Sequence, residues 1–557
     1  MLIPLLFSFA LIIRGVWSQR TSPLGPVIDL GYISFAGNTT SPTGVPNGPV
    51  TFFGAIPYAQ PPLGDLRFRA PQALKEVGKS SSVVDARSWG PPCIQRPAVV
   101  GIGSEDCLTL NIWKPSTVKQ GERLPVMVYI HGGGFYYGTP QGFPMYDWVA
   151  QQRIVAVSIT YRLGLLGFLG GRQVKEDGDL NAGLLDQRAA LNWIQRHISK
   201  FGGDPDNVTI VGESAGGASV TMQMFAYGGS RPAPFRRVIT QSIGFGPTVN
   251  EEQVEQAFND TLKITGCSGS ADALKCLRKS SSGAIVSAIN TVPNAARAFA
   301  PIIDGPTGFL PDLPSQLIAS GKFAPVDFMG GHCSNDGRTF AGGKPEQFNT
   351  DSDVRRLVFS RWPGVSNATI DKALELYPSP TLSGSPFVTQ YDRAATMAGD
   401  IIFTCMDLHI AEHLSQARTK DVYLYRWNAP DTVLYNANPY LGAMHTSDIY
   451  FLFSGTNTFG NAGNTFTAFN ETEKTLSSEA IAYWTSFGAS GNPSTYKRSA
   501  SPVWPAYVTN STSASKRLFI DKGSDTTTST SVQDISQQQI ERCKFWMSKE
   551  VAAQTRI

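Results

Sequence analysis

Gly212-Glu213-Ser214-Ala215-Gly216 follows the apolar run Val208-Thr209-Ile210-Val211 and precedes Gly217-Ala218-Ser219-Val220-Thr221-Met222. The order reads as strand, sharp turn, tightly packed helix. A serine at the apex of such a turn takes a strained backbone that lifts its hydroxyl clear of both elements. Glycines two residues to either side keep neighbouring side chains out of its way. Ser214 is therefore a candidate nucleophile. The bare G-x-S-x-G pattern arises by chance in many proteins, so the surrounding residues must carry the reading.

A serine hydroxyl needs a base, and the base needs an orienting carboxylate. Of six histidines, His131 belongs to a glycine loop, His332 lies near a glycine turn, His197 falls in an amphipathic helix Leu184 to Phe201, and His409 and His413 fall in another helix. His445 sits in a loop after the strand Val422 to Trp427, where catalytic bases commonly lie, and is the candidate base. Upstream, the buried-strand run Leu124 to Ile130 ends in His131-Gly132-Gly133-Gly134-Phe135. Consecutive glycines at a strand end can turn backbone N–H groups into a concavity for an oxyanion. Gly133 and Gly134 are the expected donors, with the Ala215 N–H as the third. A phosphate cradle would need a following Lys-Ser/Thr, which is missing. His409-Ile410-Ala411-Glu412-His413 matches the short H-x-x-E-H zinc motif. No third-ligand helix follows it, and an ordinary helical histidine pair is expected there, with no metal.

These residues need a large fold to position them. The 557 residues contain no linker, charge block or repeat, and the Ser/Thr-rich stretch Ser524 to Ser531 reads as a surface loop. One catalytic domain over 19–557 is expected after a signal peptide over 1–18, where apolar Leu2 to Ile13 precedes Val16-Trp17-Ser18. That apolar run is too short to span a bilayer, so no transmembrane segment is expected in the mature chain. With 16% charged residues and a net charge of +3, no basic concentration suits nucleic acid. Six sequons, at Asn38, Asn207, Asn259, Asn367, Asn470 and Asn510, fit export, and seven cysteines fit an oxidising compartment with one left over.

The motifs taken together resemble the type-B carboxylesterase/lipase family, which also holds the cholinesterases and the non-enzymatic neuroligins. The resemblance rests on Phe53-Gly54-Ala55-Ile56-Pro57-Tyr58-Ala59, Ser104-Glu105-Asp106-Cys107-Leu108, Asn181-Ala182-Gly183-Leu184-Leu185-Asp186-Gln187-Arg188, Phe201-Gly202-Gly203-Asp204-Pro205, the elbow, and Trp504-Pro505-Ala506-Tyr507. It implies an α/β-hydrolase fold, a large mostly parallel central sheet flanked by helices. It also implies a secreted, cofactor-free hydrolase of small-molecule or lipid-like esters, similar to fungal esterases and lipases. Triacylglycerol, sterol, hydroxycinnamoyl (feruloyl) and alkyl esters all stay open. A neuroligin-like adhesion protein would keep the fold and lose the serine; a zinc hydrolase using His409 and His413 would not need it.

The family's acid normally reads Asp-Glu-Gly. The equivalent segment is Asn335-Asp336-Gly337-Arg338-Thr339-Phe340, after a strand Val326 to Met329, so Asp336 takes the place of glutamate. Either carboxylate can stabilise an imidazolium, and the order Ser214, Asp336, His445 agrees with that of the fold. Asp304 and Asp448 are the alternatives. Glu213 resembles a buried supporting glutamate and, as the serine's neighbour, is expected to point away from the base. The resemblance also implies bridges Cys93–Cys107, Cys267–Cys276 and Cys405–Cys543, leaving Cys333 as a buried thiol. The loop between the first two cysteines is longer in the family's lipases, where it forms a lid, and in cholinesterases, where it carries a choline-binding tryptophan. Here residues 94–106 contain no aromatic.

Overall fold

The computed structural model describes residues 21–40, 49–78, 82–119, 121–246, 248–417, 421–457, 465–508 and 515–557. The expected signal peptide and the Asn510 sequon lie outside them. In chain order the strands begin β1 (Thr21–Ser22), β2 (Gly25–Asp29), β3 (Ser34–Ala36), β4 (Val50–Pro57), β5 (Val83–Asp85), β6 (Thr109–Pro115) and β7 (Leu124–Ile130). They continue with β8 (Val155–Ile159), β9 (Gly203–Glu213), β10 (Arg237–Gln241), β11 (Asp327–Cys333), β12 (Val422–Trp427), β13 (Lys516–Ile520) and β14 (Ser531–Asp534).

Ten of these form one sheet in the order β14-β13-β12-β11-β10-β9-β7-β8-β6-β4, and β1, β2, β3 and β5 form a small second sheet. The run from β8 through β7 and β9 to β13 is parallel, with antiparallel strands at either edge. Its inner strands are near-continuous apolar runs because both faces are covered. Alternate residues serve two cores: Val126, Val128 and Ile130 face one, Met127 and Tyr129 the other. Each such side chain contributes roughly 1.5–3 kcal/mol on burial.

Between β9 and β7 the winding reverses direction, and the loops leaving the C-terminal ends of these two strands part there. In open parallel sheets this is the crevice where ligands bind. The residues 184–201 form a helix Ala182–His197 followed by a 3-10 turn Ile198–Phe201. The strand read as Val326 to Met329 runs on to Cys333, because Gly330 and Gly331 continue the pairing with Leu424 and Tyr425.

Disulfides join Cys93 to Cys107, Cys267 to Cys276 and Cys405 to Cys543, and the Cys333 thiol is free and buried. Among the described residues one helical run, Gln390–Ala417, is long and apolar enough to cross a membrane, and it is packed inside the fold. Of the sequon asparagines, Asn259, Asn367 and Asn470 are exposed and Asn38 is half-buried. The Asn207 side chain is engaged by Arg237 and by the Ala489 carbonyl.

Candidate active site

Ser214 stands between β9 and the buried helix Ala215–Phe225 at φ 58°, ψ −124°. A non-glycine residue holds such a backbone only where its surroundings over-determine it. Here the Ser214 N–H donates to the Gln241 carbonyl at 2.9 Å, and its carbonyl accepts from Ala218 and Gly244 at 2.9 and 3.0 Å. The flanking glycines are needed for space: a Cβ on Gly216 would lie 2.1 Å from the Ile130 oxygen, and one on Gly212 would lie 2.4 Å from the Gly216 backbone.

Strand register brings the second element alongside. Ile130 pairs with Gly212, so the chain leaving β7 passes directly beside the elbow. A Cβ on Gly132 would meet the Glu213 oxygen at 2.6 Å and the Ser214 Cβ at 3.1 Å. Among the described residues the N–H groups of Gly133, Gly134 and Ala215 donate to no backbone carbonyl. The loop is braced from behind: Tyr136 and Tyr137 donate to the Gly133 carbonyl, and the Tyr161 hydroxyl donates to the His131 carbonyl at 2.9 Å. His131 stacks on Tyr161, and burial pulls its pKa down to about 4, so it serves this loop as a neutral ring.

Asp336 follows the end of β11, in the 3-10 turn Asp336–Phe340, and His445 is separated by one residue, the N-cap Thr446, from the helix Ser447–Leu452. His445 Nδ1 lies 2.8 Å from Asp336 Oδ1. The other carboxylate oxygen, Oδ2, accepts from the Ser242 hydroxyl at 2.9 Å and the Cys333 N–H at 2.8 Å. Nothing in the sequence pattern pointed to Ser242; only the pairing of β10 with β11 puts it there. Asp304 is spent on a turn, accepting from the Phe309 and Leu310 N–H groups. Asp448 accepts from Gln241, Tyr425 and the Cys333 thiol instead of meeting the imidazole.

Glu213 departs from expectation. Its Oε1 approaches His445 Nε2 to 3.2 Å, so it faces that ring instead of pointing away from it. The same side chain borders the glycine loop, its Oε2 lying 3.2 Å from where a Cβ on Gly132 would stand. The approach lacks the direction of a hydrogen bond, and neither atom has a hydrogen-bond partner. Burial raises the pKa of Glu213, against the attraction of His445. Burial opposes a charge on His445, but Glu213, Asp336 and Asp448 outweigh it and raise its pKa. The Cys333 thiol is pushed up by burial and by Asp448, which makes it unreactive.

Ser214, Glu213 and His445 share a cavity of about 440 Å³ with the glycine loop, and its remaining walls include Tyr136, Phe245, Phe340 and Phe403. The Cys93–Cys107 loop beside it is tied down. Gln95 and Gly138 bond to each other's amide and backbone, the Arg96 N–H donates to the Tyr136 carbonyl, and Asn290 clasps the Ala98 backbone with both ends of its amide at 2.8 Å. Its tip exposes Val99, Val100 and Ile102.

The other histidines lie elsewhere. His332 faces Asp407 at 3.4 Å, and His197 contacts Glu76 at 3.1 Å. His409 Nε2 lies 3.1 Å from the Ser315 carbonyl oxygen, and His413 Nδ1 2.9 Å from that of His409, with the two rings edge to face.

With this geometry in hand, known proteins agree on the class. A model of the carboxylesterase family matches residues 26–546, and the chain belongs to that family. It is 34% identical over 475 residues to Lipase 2 of Geotrichum candidum, covering 74% of this chain and 82% of that one. It is 31% identical over 486 residues to secreted triacylglycerol lipase LIP1 of Gibberella zeae, covering 78% and 81%. The crystal structure of Aspergillus niger EstA matches with a TM-score of 0.82 and 29% identity over 96% of this chain and 99% of that one. The chain is thus a carboxylic ester hydrolase with the α/β-hydrolase fold.

Proposed function

We propose that the protein is a secreted serine esterase in which Ser214, His445 and Asp336 form the catalytic triad. The observation that carries this is the 2.8 Å contact between His445 Nδ1 and Asp336 Oδ1, made at the cavity that holds the strained serine. His445 Nε2 takes the Ser214 proton as Oγ attacks the ester carbonyl, and Asp336 stabilises the imidazolium. The N–H groups of Gly133, Gly134 and Ala215 hold the oxyanion. The imidazolium then protonates the departing alcohol. Water, deprotonated by the same ring, attacks the acyl-enzyme and releases the acid. No metal or organic cofactor enters any step. Glu213 is a positioning residue beside His445 Nε2. Export is supported by the apolar leader 1–18, the sequons and the names of relatives such as LIP1.

Ser214→Ala is expected to abolish turnover of a 4-nitrophenyl ester with the melting temperature little changed. A serine-directed phosphonate should label the wild type alone. Turnover near wild type in the mutant would refute the serine mechanism, and activity lost only to a chelator would point to the His409/His413 alternative.

A further inference from the structure

Two guanidinium groups line the catalytic cavity without a counter-charge. Arg361 ends the helix Asp351–Arg361, with its Cζ 5.0 Å from the centre of the Phe340 ring and 5.7 Å from that of Trp362. Its Nε is buried and has no hydrogen-bond partner. Arg297, on the short helix Ala295–Ala298, is exposed at the rim and makes one long hydrogen bond, 3.4 Å, to the Ser360 carbonyl. Both belong to the wall of the cavity that holds Ser214 and His445.

Neither arginine forms an ion pair with a described residue, and none of the residues outside the description is Asp or Glu. Arg67, Arg162 and Arg393, which are buried, each meet a carboxylate, from Glu105, Asp186 and Asp351, whereas Arg517 meets only the Gln533 amide. Burial and the neighbouring Arg297 pull the Arg361 pKa down to about 10, so the group is still charged at neutral pH. A half-buried cation without a counter-charge carries part of the desolvation cost of a buried one, and a neighbouring like charge adds to it. A ligand that supplies the missing negative charge removes that cost.

Phe340 sets the distance. Its ring centre lies 5.1 Å from that of His445 and 5.0 Å from the Arg361 Cζ, so one aromatic ring touches both the guanidinium and the imidazole. We propose that the cavity selects esters bearing a carboxylate-class anionic group a few bonds from the scissile carbonyl, with Arg361 and Arg297 as its specificity-determining residues. This rests on the serine esterase reading above. The planar guanidinium can offer a carboxylate two parallel N–H donors. Cationic esters, choline esters among them, are disfavoured by the same pair.

The test compares kcat/KM for 4-nitrophenyl hemiesters of adipic, pimelic and suberic acids with the same compounds capped as methyl esters. Wild type, Arg361→Met and Arg297→Gln are each assayed. A charged-to-neutral ratio taken within one variant cancels differences in folded enzyme and in serine reactivity. The wild type should favour the charged ester by about tenfold or more at one chain length, as hydrogen bonds to a charged partner allow. That ratio should fall about tenfold in Arg361→Met, fall less in Arg297→Gln, and decline with added salt. A wild-type ratio at or below one for every length, or a ratio unmoved in both variants, overturns the proposal. Hydrolysis of neutral esters alone would overturn the charge preference and leave the serine chemistry standing; hydrolysis of neither would overturn both.

Discussion

Asp336→Asn isolates the acid with little change of shape, and the hydrogen bonds around it decide how the amide sits. Oδ2 accepts two donors, the Ser242 hydroxyl and the Cys333 N–H, whereas Oδ1 faces His445 Nδ1 at 2.8 Å. An amide nitrogen at the Oδ2 position would meet the Cys333 N–H donor to donor, so the carbonyl oxygen must stay there. The NH₂ group is thereby aimed at Nδ1. It donates where Asp336 accepts, holds the proton of the neutral ring on Nε2, and so removes the lone pair that would take the Ser214 proton. A histidine triad locked in the wrong tautomer loses about 10⁴-fold in kcat. The assay is kcat on a soluble 4-nitrophenyl ester over a range of pH, with the melting temperature recorded. Asp448→Asn should cost much less activity, since Asp448 bonds Gln241 and Tyr425 instead of the imidazole. A loss at Asp448 equal to or above that at Asp336, or a loss below about tenfold at Asp336, would refute the assignment of the acid.

Glu213→Gln removes a carboxylate 3.2 Å from His445 Nε2 that favours the protonated ring. The imidazole pKa must fall, so the acid limb of the kcat/KM profile should move down by about one pH unit; an upward or absent shift would show that Glu213 does not act on the ring. Gly132→Ala drives a Cβ to 2.6 Å from the Glu213 oxygen and 3.1 Å from the Ser214 Cβ. Its backbone neighbours cannot give way cheaply, and a stability loss of about 1–3 kcal/mol with near-complete loss of turnover is expected from denaturant titration and rate assay. Because the Cys93–Cys107 loop is clasped by Asn290 and the Gln95–Gly138 bonds, rates on a short-chain triglyceride should saturate smoothly through its solubility limit. A sharp rise at the onset of emulsion would mean that a segment does swing aside.

What the sequence reveals here depends on how locally each feature is determined. Strands Leu124–Ile130 and Val422–Trp427 can be read to the residue, since both are mostly apolar and aromatic runs, almost wholly buried, with Arg426 the one charged residue. The elbow is equally local, a matter of glycine spacing around one serine. The direction of Glu213 is not: that it meets His445 depends on a loop more than 200 residues further along the chain being folded over the end of β9. Ser242 and the Gln241–Asp448 bond depend on the register of β9, β10 and β11, and the missing counter-charge of Arg361 is a property of an entire cavity.

Asp336 shows the same division within a single residue. Where the family pattern has glutamate, a carboxylate one methylene shorter reaches its histidine only if the two backbones approach. Asn335 supplies that approach: its N–H donates to the Ala443 carbonyl at 2.9 Å, and its side-chain oxygen accepts the Ala443 N–H at 3.1 Å. The turn that carries the acid is thus bonded twice to the segment two residues before His445. Any Cβ at Gly442 would strike the same Asn335 side chain at 2.3 Å, so that glycine is part of the clasp. The substitution of aspartate for glutamate is legible in the chain, but the asparagine and glycine that let it work acquire meaning only when the two loops are brought together.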